Sequence, residues 1–150
     1  MERETWPPEG VSGREREILD IIYRRGAATA ADVQGELIDA PVYGAVRTML
    51  SRLEAKGHIR HRQEGPRYVY EPTVAPQRAR ALAFDWLTRT FFSGSAVKAA
   101  AAALDHAATQ VTDEDLAELT EFVEQIRSKD DGDRSSARSD ESHESDGGRR

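Results

Sequence analysis

The side chains able to do chemistry fall into three groups, and two of them lead away from catalysis. The first is the four histidines, His58, His61, His106 and His143. His58 and His61 are three apart in a stretch that reads as a strand, where odd spacing sends them to opposite faces. His106 and His143 stand alone. The chain has no cysteine and no carboxylate completes a ligand set around these rings, so no metal site is expected. The second group is the contiguous carboxylates Asp113, Glu114 and Asp115. Acids at the head of a helix cap its free amides and complement its dipole, which explains them better than acid–base catalysis. No glycine-rich phosphate loop, nucleophile elbow, zinc motif or nucleophile–base pair occurs. A small hydrolase is therefore disfavoured, and the chain reads as a non-enzyme without a cofactor.

The third group is basic and clustered. Arg47, Arg52, Lys56, Arg60, Arg62 and Arg67 fall within residues 43–70, against only Glu54 and Glu64. A local excess of four positive charges is the footprint that phosphate binding needs. The formal net charge of −6 hides it, because residues 1–10, 78–128 and 129–150 are each acidic. An ordinary solvated helix face is the competing reading of such a run. The elements that carry these residues decide between the two.

Ser12-Gly13-Arg14-Glu15 is a capping box, with serine and glutamate placed to satisfy each other's backbone amides. Ile18, Leu19, Ile21 and Ile22 then form an apolar stripe, and Gly26 ends this first helix. Thr29-Ala30-Ala31-Asp32 opens a short second helix with Val33, Leu37 and Ile38 inward, and Asp39-Ala40-Pro41 breaks it. A third helix runs from about Tyr43 to Lys56 and stops at Gly57. Its Val46, Met49, Leu50 and Leu53 share a core face, while Gly44, Arg47, Thr48, Ser51 and Ala55 lie opposite, with Arg52 on the flank. Beyond Gly57 the period becomes two. His58–Arg62 and Arg67–Glu71 read as strands around a turn at Gln63-Glu64-Gly65-Pro66. Val69 and Tyr70 alternate, so one of the two is expected to pack beneath the hairpin.

Three short helices followed by a hairpin is the winged helix-turn-helix order. In that arrangement the third helix lies in the major groove with its N-terminal residues on base edges. Arg47 can grip guanine O6 and N7 with two hydrogen bonds. Tyr43 and Thr48 are placed for a thymine methyl or a phosphate, with Ser51 on the same face. Arg52, Lys56, Arg62 and Arg67 are placed for phosphates, which position the protein without reading sequence.

Pro72 and Pro76 mark the exit from this domain, assigned to residues 11–73. Residues 76–127 read as helical. Pro76 starts a helix carrying Leu82, Phe84, Trp86, Leu87, Phe91 and Phe92. Ser95 caps an alanine-rich helix through Leu104, and Thr112 to Asp115 is a third capping box. Leu116, Leu119, Phe122, Val123 and Ile126 make one stripe. Short helices cannot bury that stripe together with Leu87, Phe91 and Phe92, so these eight residues are assigned to a dimer core. Hydrophobic residues are 38% of the chain and charged residues 32%, lean for a monomer but reasonable where apolar surface meets a second subunit. Residues 129–150 are almost all Ser, Gly, Asp, Glu and Arg and are expected to be a disordered polar tail. No apolar leader or membrane-length segment is seen, so a cytoplasmic protein without membrane insertion is expected.

Taken together, four segments resemble the penicillinase-repressor family, the BlaI, MecI and CopY type. They are VSGREREILDIIYRRGAATAADVQGEL, AVRTMLSRLEAKGHIRHRQEGPRYVYEP, FFSGSA and VTDEDLAELTEFVEQI, of which the second is the most specific. The resemblance spans about residues 11–127. It implies a winged-helix domain followed by a helical dimerisation domain, and repression of genes that respond to an antibiotic or a metal. For the antibiotic-responsive branch it also implies a membrane sensor metallopeptidase as partner, which cleaves near an Asn-Phe bond; the matching stretch here, Phe91–Ala96, has no such bond. Ala45 and Val42 stand where the family often has a threonine and a polar cap, so no operator sequence carries over. The cysteine cluster of the copper-responsive branch has no counterpart here. The expectation is a mostly α, homodimeric transcriptional repressor bound to a palindromic double-stranded DNA operator. The alternative is a winged-helix protein-interaction module that does not bind DNA.

Overall fold

A computed structural model describes residues 4–140, with side chains within residues 4–130. In chain order the elements are α1 (Gly13–Arg25), β1 (Ala28–Thr29), α2 (Ala30–Glu36), α3 (Tyr43–Ala55), β2 (Ile59–Glu64), β3 (Arg67–Pro72), α4 (Pro76–Phe91), α5 (Ala96–His106) and α6 (Asp113–Asp140). The chain divides into two compact units, residues 1–99 and 100–150, so α4 groups with the winged helix. None of the described helices is long and apolar enough to cross a membrane.

The first unit starts from two capping boxes. Ser12 Oγ accepts from the Glu15 amide at 3.3 Å, and the Ser12 amide donates to Glu15 Oε2 at 2.8 Å. Thr29 and Asp32 repeat the exchange at the head of α2, at 3.2 and 2.9 Å. Each box satisfies donors that an uncapped helix leaves open, so both N-termini are set by local sequence. Periodicity then does the packing. Ile18, Leu19, Ile21 and Ile22 of α1 meet Val33 of α2 and Val46, Leu50 and Leu53 of α3 in one buried cluster. Met49 is only partly buried against it.

Three features depart from the sequence reading. Ile38, expected inward, is 81% exposed. The second helix ends at Glu36, and Leu37 turns extended at φ −70°, ψ 132°, so the helical period no longer applies one residue later. Val69 and Tyr70 are both buried, where only one was expected. The cause is β1, a strand too short to announce itself. The sheet order is β1-β3-β2, and Ala28 and Thr29 pair with Tyr70 and Val69, making β3 the central strand. Finally, α6 continues to Asp140, through part of the expected tail. Extending an already nucleated helix adds one backbone hydrogen bond per residue fixed, and needs no packing. Residues 141–150 lie outside the described residues.

In the second unit, Thr112 and Asp115 close the third capping box. The Thr112 amide donates to Asp115 Oδ2 at 2.8 Å, and the Asp115 amide to Thr112 Oγ1 at 3.2 Å. Beyond it, Leu116, Leu119, Phe122, Val123 and Ile126 are each between 39% and 58% exposed. These spacings of three, four and seven put the apolar side chains along one side of α6.

Candidate nucleic-acid interface

The core face of α3 determines what its other face presents. With Val46, Leu50 and Leu53 fully buried, Tyr43, Gly44, Arg47, Thr48, Ser51 and Arg52 are all exposed. Arg47 and Arg52 make no hydrogen bond or ion pair to any described residue. An arginine left free among small neighbours leaves its five donors available to an external partner. Thr48 Oγ1 donates to Gly44 O at 3.0 Å, so it offers a partner only its acceptor lone pairs and methyl. Val42 precedes the helix without a side-chain cap.

The structure divides the basic cluster that the sequence reads as uniform. Arg47, Arg52 and Arg67 make no close ion pair among the described residues, although Arg67 acts electrostatically on Asp32, whereas Lys56, Arg60 and Arg62 are engaged. Lys56 Nζ donates to Glu15 Oε2 at 2.7 Å and to Gly10 O at 2.8 Å. Glu15 is only 4% exposed. Lys56 and the Ser12 cap hold its carboxyl below the usual carboxylate range, with burial opposing them. Lys56 thus ties the C-terminal end of α3 to the head of α1. Arg62 Nε donates to Glu71 Oε1 at 2.6 Å, and its Nη1 pairs with Glu64. Arg60 stands 3.7 Å from the second Glu71 oxygen. These arginines hold the Glu71 carboxyl low, Arg62 by its hydrogen bond above all.

Hairpin register places two sets of side chains on opposite faces. His61 pairs with Tyr70 and Gln63 with Tyr68, while Arg60, Arg62 and Glu64 pair with Glu71, Val69 and Arg67. Successive residues alternate faces, so Arg60, Arg62 and Arg67 share one face, and His61, Gln63, Tyr68 and Tyr70 the other. The second face is turned to α3. The His61 amide donates to Glu54 Oε1 at 3.0 Å, and ring Nδ1 donates to the same oxygen at 2.6 Å, because an ionised carboxylate can only accept. The His61 ring also lies 4.5 Å from that of Tyr68. Arg47 and Tyr43 act electrostatically on the Tyr70 hydroxyl, whose titration is pushed up first by burial. The exposed face of α3 therefore continues onto His61, Gln63 and Tyr68, which sequence reasoning passed over. Strand alternation could have found them, had the turn been taken as Gly65-Pro66 alone.

The predicted dimer residues sit on exposed surface for the most part. Leu87, Phe91, Leu116, Leu119, Phe122, Val123 and Ile126 are exposed, and Phe92 is half-buried. Phe91 stands edge-on to Trp86, with ring centroids 5.7 Å apart.

Comparison with known proteins adds the family. The model of the penicillinase repressor family matches residues 11–125. Bacillus licheniformis BlaI, solved as a monomer in complex with the blaP half-operator, is 30% identical. That match covers 45% of this chain and 83% of BlaI, with a TM-score of 0.38. A mutant MarR from Escherichia coli complexed with operator DNA is 15% identical, covering 78% of this chain and 76% of MarR at a TM-score of 0.43. Among curated proteins, none matches the chain. Because the family model spans the winged helix and reaches into α6, the chain belongs to the penicillinase repressor family: it is a DNA-binding transcriptional repressor on a winged-helix fold, not an enzyme.

Proposed function

We propose that the protein represses transcription from the cytoplasm as a two-fold homodimer seated on a palindromic operator. The N-terminal half of α3 enters the major groove, with Arg47 reading a guanine and Tyr43, Thr48 and Ser51 beside it. Arg52 and Arg67 reach phosphates. Arg62 reaches one only by giving up Glu71 or Glu64, and Lys56 acts chiefly by fixing the end of the helix. The observation that carries this reading is the free guanidinium of Arg47, exposed among small residues and held over a packed core.

The dimer rests on the apolar surface of α6. Five large side chains lie about half in water along one helix face, and covering the remaining half of each is worth roughly 0.7–1.5 kcal/mol. Doubled by two-fold symmetry, that is of the order needed to overcome the roughly 4–15 kcal/mol lost on association. The membrane sensor metallopeptidase implied by the family resemblance has an accessible target between α4 and α5. Phe91, Ser93 and Gly94 are exposed there, and Ser93 and Gly94 have positive φ, outside helical geometry.

Selecting bound fragments from genomic DNA, then footprinting the winner, tests the reading. Recovery of an inverted repeat, with half-sites about one helical turn or a multiple apart, is expected. Failure to enrich any sequence would favour a protein-binding winged helix instead.

A further inference from the structure

The segment before α1 is strapped across the first unit. Glu4 pairs with Arg78 of α4 at 3.1 Å, and Trp6 packs edge-on against Tyr23 of α1 with centroids 5.9 Å apart. Further along, Glu9 O accepts from His58 Nε2 at 3.1 Å, and Gly10 O from Lys56 Nζ at 2.8 Å. Beneath this strap lies a cleft of about 890 Å³, within the range of small-molecule sites. Trp6, Tyr23, Val74 and Leu82 supply apolar and aromatic wall, and Glu4 and Glu9 supply charge.

Which charge remains unbalanced defines the ligand. Lys56 also lines the cleft, but Glu15 holds its ammonium. Glu4 is matched by Arg78. The Glu9 carboxylate has no ion pair among the described residues. Aromatic rings and an unmatched carboxylate lining one cleft favour a cation, through the ring quadrupole and by Coulomb attraction. We propose that this cleft is an effector site for an organic cation with an aromatic or bulky apolar body. Its walls join the turn after α3, through Lys56, Gly57 and His58, to α4, through Ala79 and Leu82. A ligand wedged there acts on the link between the reading helix and the helix that follows the wing, and so on operator affinity. That effector role rests on the operator binding proposed above, whereas binding of the cation does not.

The chain has two tryptophans, Trp6 and Trp86, so Trp86→Phe leaves Trp6 as the sole tryptophan emitter. Tetraphenylphosphonium and tetraphenylborate share a shape and differ in charge, and each is titrated against this variant without DNA. A saturable change in Trp6 emission is expected, at least ten-fold tighter for the cation. Adding Glu9→Gln should weaken the cation three- to ten-fold and leave the circular dichroism spectrum unchanged. No saturable change, equal affinity for both ions, or indifference to Glu9→Gln overturns the site. Operator titrations with and without saturating cation then read the effector role, for which a shift of at least three-fold is expected. An unchanged operator affinity overturns that role alone. Absence of operator binding in the cation-free protein instead counts against the proposed function, so the two failures are told apart.

Discussion

Replacing Arg47 by alanine should separate reading of bases from mere attraction to DNA. The side chain is exposed and makes no intramolecular hydrogen bond or ion pair among the described residues. Its removal should leave folding stability within about 0.5 kcal/mol of the parent, and any change in binding then belongs to the complex. A bidentate arginine–guanine contact contributes roughly 1–3 kcal/mol of discrimination. A two-fold dimer makes it twice, so the loss on the full operator is about 2–6 kcal/mol. At about 1.4 kcal/mol per decade, this is roughly thirty-fold to twenty-thousand-fold in affinity. On a scrambled duplex only the non-specific attraction of one guanidinium disappears. Binding isotherms on operator and scrambled duplexes over a salt series measure both quantities, and thermal unfolding checks the fold. Equal losses on the two duplexes would refute the reasoning, since they would show that α3 approaches DNA without reading it.

The wing offers a complementary pair of substitutions. Arg67→Ala should weaken operator and scrambled DNA alike and lower the salt slope by about one per lost phosphate contact. Arg62→Ala should do less, because Glu71 and Glu64 already hold that guanidinium; equal effects would show that these ion pairs do not compete with DNA. Phe122→Asp puts a charge on the exposed apolar face of α6 and should leave a folded monomer with weakened operator binding. A stable wild-type monomer at micromolar concentration in sedimentation would defeat that expectation. Glu15→Gln removes the charge that pairs with Lys56 and alters the capping box, at a cost of about 1–2 kcal/mol, or roughly 4–8 °C of melting temperature per kcal/mol. Because the folded Glu15 carboxyl titrates below its ordinary range, its contribution is present above that range and fades as pH falls through the depressed value. The wild type should therefore lose more stability on acidification than Glu15→Gln, and parallel melting curves from pH 7 to pH 3 would contradict this.

Much of the fold was legible because it depends on neighbours in the chain. The three capping boxes join residues three apart. The apolar stripes of α1 and α3 follow the helical period, and Gly26 and Gly57 stop those helices with φ near +80°. These are local contests between backbone donors, side-chain acceptors and water, and residue type and spacing decide them. For the same reason the exposed face of α3, with Arg47, Thr48 and Ser51, follows from the sequence alone.

What only the tertiary structure decided involves partners far apart in sequence. Lys56 reaches Glu15 across 41 positions, so a lysine read from the sequence as a phosphate ligand also ties the end of α3 to the head of α1. Thr29 and Val69 pair across the sheet, so two residues of β1 changed the burial of β3. The hairpin register placed Arg62 beside Glu71 and His61 beside Glu54, which ties part of the basic cluster into ion pairs and sets a histidine next to α3. A period of 3.6 or 2 tells which way a side chain points from its own element. It says nothing of what the folded chain brings to meet it, because that is fixed by the packing of the core and the register of the sheet.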